Sequence, residues 1–163
     1  NIFPAPTSWR IRAAGDIDGD GVADLVWQLA TGQVACWFMT EYGTLDHRAD
    51  IYPGPTSWQI RAMGDMDQDG TADLIWQSTT GQVVCWLMNT NGAMKASFSI
   101  YAGVTAWRMR AAGDIDGDGM ADLVWQMQTG QTACWLMNPG GTMKAAIMLF
   151  PGPTTWIVRG GGN

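Results

Sequence analysis

GDIDGDGVADLVWQ, residues 15–28, is the stretch from which the fold can be read. Four aspartates and three glycines fall within residues 15–24, and then the chain turns abruptly apolar. The phrase returns as GDMDQDGTADLIWQ at 64–77 and as GDIDGDGMADLVWQ at 113–126. Trp9, Trp58, Trp107 and Trp156 share the same spacing of 49 residues, as do Cys36, Cys85 and Cys134. Residues 9–39 and 107–137 agree at 25 of 31 positions. A period of this length marks a repeat architecture, in which one supersecondary unit stacks on copies of itself. The 163 residues therefore read as one repeat domain. Repeat 1 covers about 9–57, repeat 2 about 58–106 and repeat 3 about 107–155, and a partial fourth repeat, its first strand only, covers 156–163.

Each unit reads as four strands. The first, WRIRAAG at 9–15, alternates Trp9, Ile11 and Ala13 against Arg10, Arg12 and Ala14, the period of a strand. The aspartate loop follows, then ADLVWQ at 23–28, a Thr-Gly turn, QVACWFM at 33–39, a glycine turn, and a fourth strand over roughly 44–52. The two middle strands are continuously apolar, so both their faces are expected to be covered. The fourth varies most between copies and carries Asp46, His47, Arg48 and Asp50 in repeat 1, charges that suit a protected outer edge. The expectation is an all-β fold of tandem four-stranded antiparallel sheets, built as β-propeller-like blades that are open or completed by another chain. An open stack of sheets and a sandwich are the alternatives.

The loop pattern D-x-D-x-D-G-x-x-D concentrates hard oxygen ligands where glycine permits a sharp turn, as calcium requires. The expected ligands are the carboxylates of Asp16, Asp18, Asp20 and Asp24, with the Val22 carbonyl. Repeat 2 offers Asp65, Asp67, Asp69, Thr71 and Asp73, and repeat 3 offers Asp114, Asp116, Asp118, Met120 and Asp122. Residue type varies at 22, 71 and 120, as a backbone ligand allows. A helical EF-hand would need a glutamate at the twelfth loop position, where Trp27, Trp76 and Trp125 stand instead. A catalytic carboxylate pair needs a cleft and a shifted pKa, and equal triplication fits a structural role better. A metal-free Asp-Gly turn would leave four carboxylates repelling one another.

Together, the loop, the following A-D-L-[VI]-W and the preceding W-x-x-R-x-x-G-D resemble the FG-GAP or VCBS repeat. The resemblance spans all three full units. It implies propeller blades of the integrin-α type, calcium between the first and second strands of each blade, and an extracellular setting, secreted or at the cell surface. Such propellers usually have seven blades in one chain, and this sequence carries three and a spare strand. Gln68 also replaces a loop glycine, although the ligand positions around it are intact.

Charge agrees with three cation sites. Twelve of the fifteen acids lie in the loops, and outside them three acids face nine Lys and Arg. The loops therefore carry twelve negative charges against a net +6 in the rest of the chain, and three divalent cations would cancel the net charge of −6. No basic run invites nucleic acid, and no apolar run reaches the roughly 18 residues of a membrane span. No signal peptide is legible, as in a mature product, a fragment or a cytosolic chain. The three cysteines read as buried apolar thiols on separate blades. The sole histidine, His47, has no partner for a nucleophilic triad, so no enzyme is expected. Arg12, Arg61, Arg110 and Arg159 recur in step and are expected to pair with loop carboxylates or backbone carbonyls, the alternative being a ring of cations that recognises an anion.

The expected role is a calcium-stabilised structural or adhesive module. It would self-associate head to tail, as a ring or a filament, through the spare strand. One alternative is a carbohydrate-binding propeller lectin using Trp9, Trp58, Trp107 and Trp156. Another is an accessory domain of a larger secreted enzyme. Glycans and cell-surface proteins are the other expected partners.

Overall fold

The structure is a computed structural model and describes residues 8–159. It contains twelve strands and no helix among those residues. The first sheet comprises β1 (Arg10–Gly15), β2 (Asp24–Gln28), β3 (Val34–Met39) and β4 (Leu45–Tyr52). The second comprises β5 (Gln59–Gly64), β6 (Asp73–Gln77), β7 (Val83–Met88) and β8 (Met94–Tyr101). The third comprises β9 (Arg108–Gly113), β10 (Asp122–Gln126), β11 (Thr132–Asn138) and β12 (Thr142–Phe150). Each sheet is antiparallel with its strands in chain order, and no sheet closes into a barrel. This is the all-β array of blade-like sheets that the period implies.

The sheets approach one another along β1, β5 and β9, the inner strands. One core lies between the first two sheets, where Ile17, Val26, Cys36 and Phe38 meet Ile60, Leu74 and Trp76. An equivalent core joins the second to the third, where Met66, Ile75 and Cys85 meet Met109, Leu123 and Trp125. The middle sheet is therefore covered on both faces, and all five residues of β6 are buried. The outer strands β4, β8 and β12 are largely exposed.

Three further contacts fix the spacing of the blades. Gln28 donates from Nε2 to the Trp58 carbonyl (2.9 Å) and accepts from the Ile60 N–H (3.3 Å). Gln77 does the same to Trp107 and Met109, and Gln126 to Trp156 and Val158. The Thr-Gly turns sit against a threonine of the following connection, where the Thr56 N–H donates to the Thr31 carbonyl at 3.1 Å. Gly32, at φ +109°, touches the Thr56 backbone so closely that a Cβ would collide with it. Finally, the Ala72 N–H donates to the Asp16 carbonyl (2.6 Å) and the Ala121 N–H to the Asp65 carbonyl (2.8 Å).

The strict alternation expected of the first strand is broken. Ile11 pairs with Trp27 and Ala13 with Val26, which leaves Arg12 as the extra residue of a β-bulge. Arg61 and Arg110 occupy the same bulge in β5 and β9. Trp156–Arg159 docks on Gln126 as earlier first strands dock on Gln28 and Gln77, but no strand forms there among the described residues. The rest of the expected fourth-repeat strand, 160–163, lies outside the described residues.

Candidate metal centres

Each aspartate loop begins by folding around its first acid. Asp16 Oδ1 accepts from the Gly19 N–H (2.7 Å) and Oδ2 from the Gly21 N–H (2.8 Å). Both glycines have positive φ, a conformation that costs a residue without a Cβ little. Asp65 and Asp114 repeat the arrangement with Gly70 and Gly119. In loop 2 the first turn uses Gln68, at φ 63°. Its Nε2 donates to the Asp118 carbonyl of the next loop (2.9 Å), which helps offset the left-handed backbone.

The last acid of each loop ties three segments together. Asp24 is fully buried, and its two oxygens accept from the Ile17 N–H (3.0 Å) and the Met39 N–H (2.9 Å). Asp73 holds Met66 and Met88 in the same way, and Asp122 holds Ile115 and Met137. Burial pushes Asp73 up to about 7, against the two backbone hydrogen bonds, and repulsion from Asp67 and Asp69 adds to the rise. Burial likewise raises Asp24 and Asp18, and neighbouring loop carboxylates contribute to both rises.

In each loop three carboxylates converge. Asp16, Asp18 and Asp24 each offer an oxygen within 4.8 Å of the others, as do Asp65, Asp67 and Asp73, and Asp114, Asp116 and Asp122. The Oδ1 of Asp67 is buried and has no hydrogen-bond donor. Hard, negatively charged oxygens, one of them without a donor, suit a calcium-like cation. The fifth-position acids, Asp20, Asp69 and Asp118, stand outside these triplets. Their Oδ1 atoms accept from the Val22, Thr71 and Met120 N–H groups at 2.7, 2.9 and 3.0 Å. They and the carbonyls of Val22, Thr71 and Met120 are the remaining oxygens available to complete a shell. The Thr71 and Met120 side chains are themselves buried, Met120 in the core between the second and third sheets.

Two residues that sequence reasoning missed reach these loops. Lys95 Nζ lies 2.7 Å from Asp67 Oδ2 and 2.6 Å from Asp69 Oδ2. Lys144 bridges Asp116 and Asp118 at 2.7 and 2.9 Å. The signal was present: these are the only two lysines, and they are 49 residues apart. The equivalent position in repeat 1 is Asp46, which pairs with His47 (2.8 Å) instead.

The expectation that the inner-strand arginines pair with carboxylates or carbonyls is not met. Among the described residues, Arg12, Arg61 and Arg110 make no ion pair, and each has a buried Nε without an acceptor. The bulges turn them onto a groove lined by Ala13, Ala62 and Ala111, which offers no carboxylate.

The repeated tryptophans line clefts between blades. Trp58, Trp76 and Trp86 of the second blade meet Tyr52 and Thr56 across a cleft of about 320 Å³. Trp107, Trp125, Trp135, Tyr101 and Thr105 form its equivalent, about 490 Å³, between the second and third blades. Trp9 borders a smaller hollow with Trp27 and Trp37, and Trp156 is 83% exposed. The cysteines are buried and free, and burial raises their thiol pKa values, that of Cys134 to about 11.

The FG-GAP-like repeat family matches residues 16–76 and 65–125, which include all three aspartate loops. The chain belongs to that family. No curated protein matches it. Its FG-GAP-like repeats and the acidic triplet in each of them describe a β-repeat module with three candidate cation sites.

Proposed function

We propose that this FG-GAP-like chain is a non-catalytic, extracellular structural or adhesive module in which calcium staples each blade. The observation that carries the reading is the triplet of converging carboxylates in every loop, built on an acid that also grips the neighbouring strands. A cation there would relieve the repulsion and convert binding energy into folding energy. Constant occupancy, rather than switching, follows from the abundance of calcium outside cells. Chelation should lower the melting temperature markedly, and readdition of calcium should restore it. A melt indifferent to EDTA would falsify the staple.

The same reading includes head-to-tail association. Ile115, the counterpart of the fully buried Ile17 and Met66, is 51% exposed on the free face of the third sheet. Ile11, the counterpart of Ile60 and Met109 (both 1% exposed), is 50% exposed on the free face of the first. One face thus offers the half of the inter-blade interface that the other lacks. A second copy docking there would repeat an interface formed twice within the chain. Light scattering in calcium should report species larger than one chain, with Ile115→Asp reducing their size. A monomer at high concentration would remove this part.

A second reading has its own support. The two equivalent inter-blade clefts combine aromatic walls with a threonine at the rim, the composition that suits a sugar ring. Glycan-array binding lost in Trp107→Ala would establish it.

A further inference from the structure

The inner groove holds a cluster of three arginines that neither the candidate cation sites nor the aromatic clefts use. It runs beside β1, β5 and β9 with a volume of about 290 Å³. Its lining is otherwise apolar and mostly alanine, Ala13, Ala62 and Ala111 among them, and its charge is Arg12, Arg61 and Arg110. Three features make it a built site. Each arginine is the extra residue of a β-bulge at the same position of its strand, and such bulges commonly re-aim a side chain near functional sites. Each has a buried Nε–H with no acceptor, a cost the fold bears three times. No carboxylate within the described residues neutralises any of them. Burial and mutual repulsion act together at Arg61, whose pKa is lowered by desolvation and by Arg108, Arg12 and Arg110.

We propose that this groove binds a small oxyanion of two or more negative charges, such as sulfate or inorganic phosphate, held by Arg12, Arg61 and Arg110. Guanidinium forks match oxyanion geometry and provide the paired donors that a lone ammonium lacks. The alanine lining leaves room for the ion, and Arg61, on the middle blade, is repelled by both Arg12 and Arg110. This inference does not rest on the calcium reading, since the groove uses none of the loop acids.

The test is isothermal titration of the calcium-loaded chain with sodium sulfate, against sodium chloride at matched ionic strength. Sulfate should bind saturably at one ion per chain, and Arg61→Met should weaken it at least tenfold. In sulfate-free buffer, Arg61→Met should melt no lower than the parent, because it removes a half-buried cation whose buried Nε–H has no acceptor, whereas a structurally engaged arginine would lower the melt. Should Arg61→Met not fold, Arg61→Lys decides: it keeps the charge, loses the fork, and should weaken sulfate severalfold. Equal response to sulfate and chloride, or undiminished sulfate affinity in the folded variant, would overturn the proposal.

Discussion

At Asp73 one carboxylate serves two backbone donors from inside the core. Asparagine there would set an NH₂ donor against one of those N–H groups. Asp73→Asn should therefore cost about 1–3 kcal/mol even in EDTA, measured by urea unfolding. The pH dependence follows from the same burial. Asp73 is raised from its ordinary value near 3.8 to about 7, so the folded chain binds its proton more tightly than the unfolded chain does. In EDTA, its contribution to stability is fully present below about pH 4 and is lost as pH rises through about 7. Calcium needs the ionised form and should reverse that slope, which melts at several pH values with and without calcium will show. Gln68 makes a different prediction. Gln68→Ala keeps the left-handed strain and loses the bond to Asp118, whereas Gln68→Gly loses the bond but relieves the strain. The alanine variant should melt lower than the glycine variant.

The loops differ in what the outer strand brings to them. Lys95 on β8 and Lys144 on β12 each bridge two loop acids, while β4 presents Asp46. An ammonium group already in place stabilises the metal-free loop and competes with an incoming cation. Lys95→Met should lower stability in EDTA and raise calcium affinity at loop 2, as calcium titration of the variant and parent would show. Loop 1, with no lysine, should depend most on the cation. The Thr-Gly turns set the spacing between blades. Gly81, at φ +104°, lies against the Thr105 backbone where a Cβ has no room. Gly81→Ala should cost about 1–3 kcal/mol or more through strain and displacement of the adjoining blade.

For the molecule as a whole, periodicity carried most of the information. Forty-nine-residue spacing, continuous apolar runs in the middle strands and charged fourth strands located every sheet and its strand order, but only the middle sheet is packed against a neighbour on both faces. The acid triplets were equally legible, because loop ligands lie close in sequence. What the sequence concealed depends on registry between distant segments. The alternation of WRIRAAG offers no sign of the bulge, which arises from pairing with β2 and re-aims Arg12. The lysine bridges join residues 28 and 26 apart, and only the folded hairpins bring them to the loops. The aromatic clefts combine residues of two repeats, so no single unit displays one.

The hydrogen bonds from Ala72 to the Asp16 carbonyl and from Ala121 to the Asp65 carbonyl join the first acid of one loop to the start of the next blade's second strand. A cation ordering Asp16 therefore also orders the platform on which its neighbour folds. In a linear array of repeats, stability is the sum of local terms and nearest-neighbour terms. Here the cation contributes to both kinds at once. Titration should then show Hill coefficients above one. Amide exchange after chelation should show loss of order spreading from blade to blade, with the middle blade, held by a carbonyl bond on either side, the last to open.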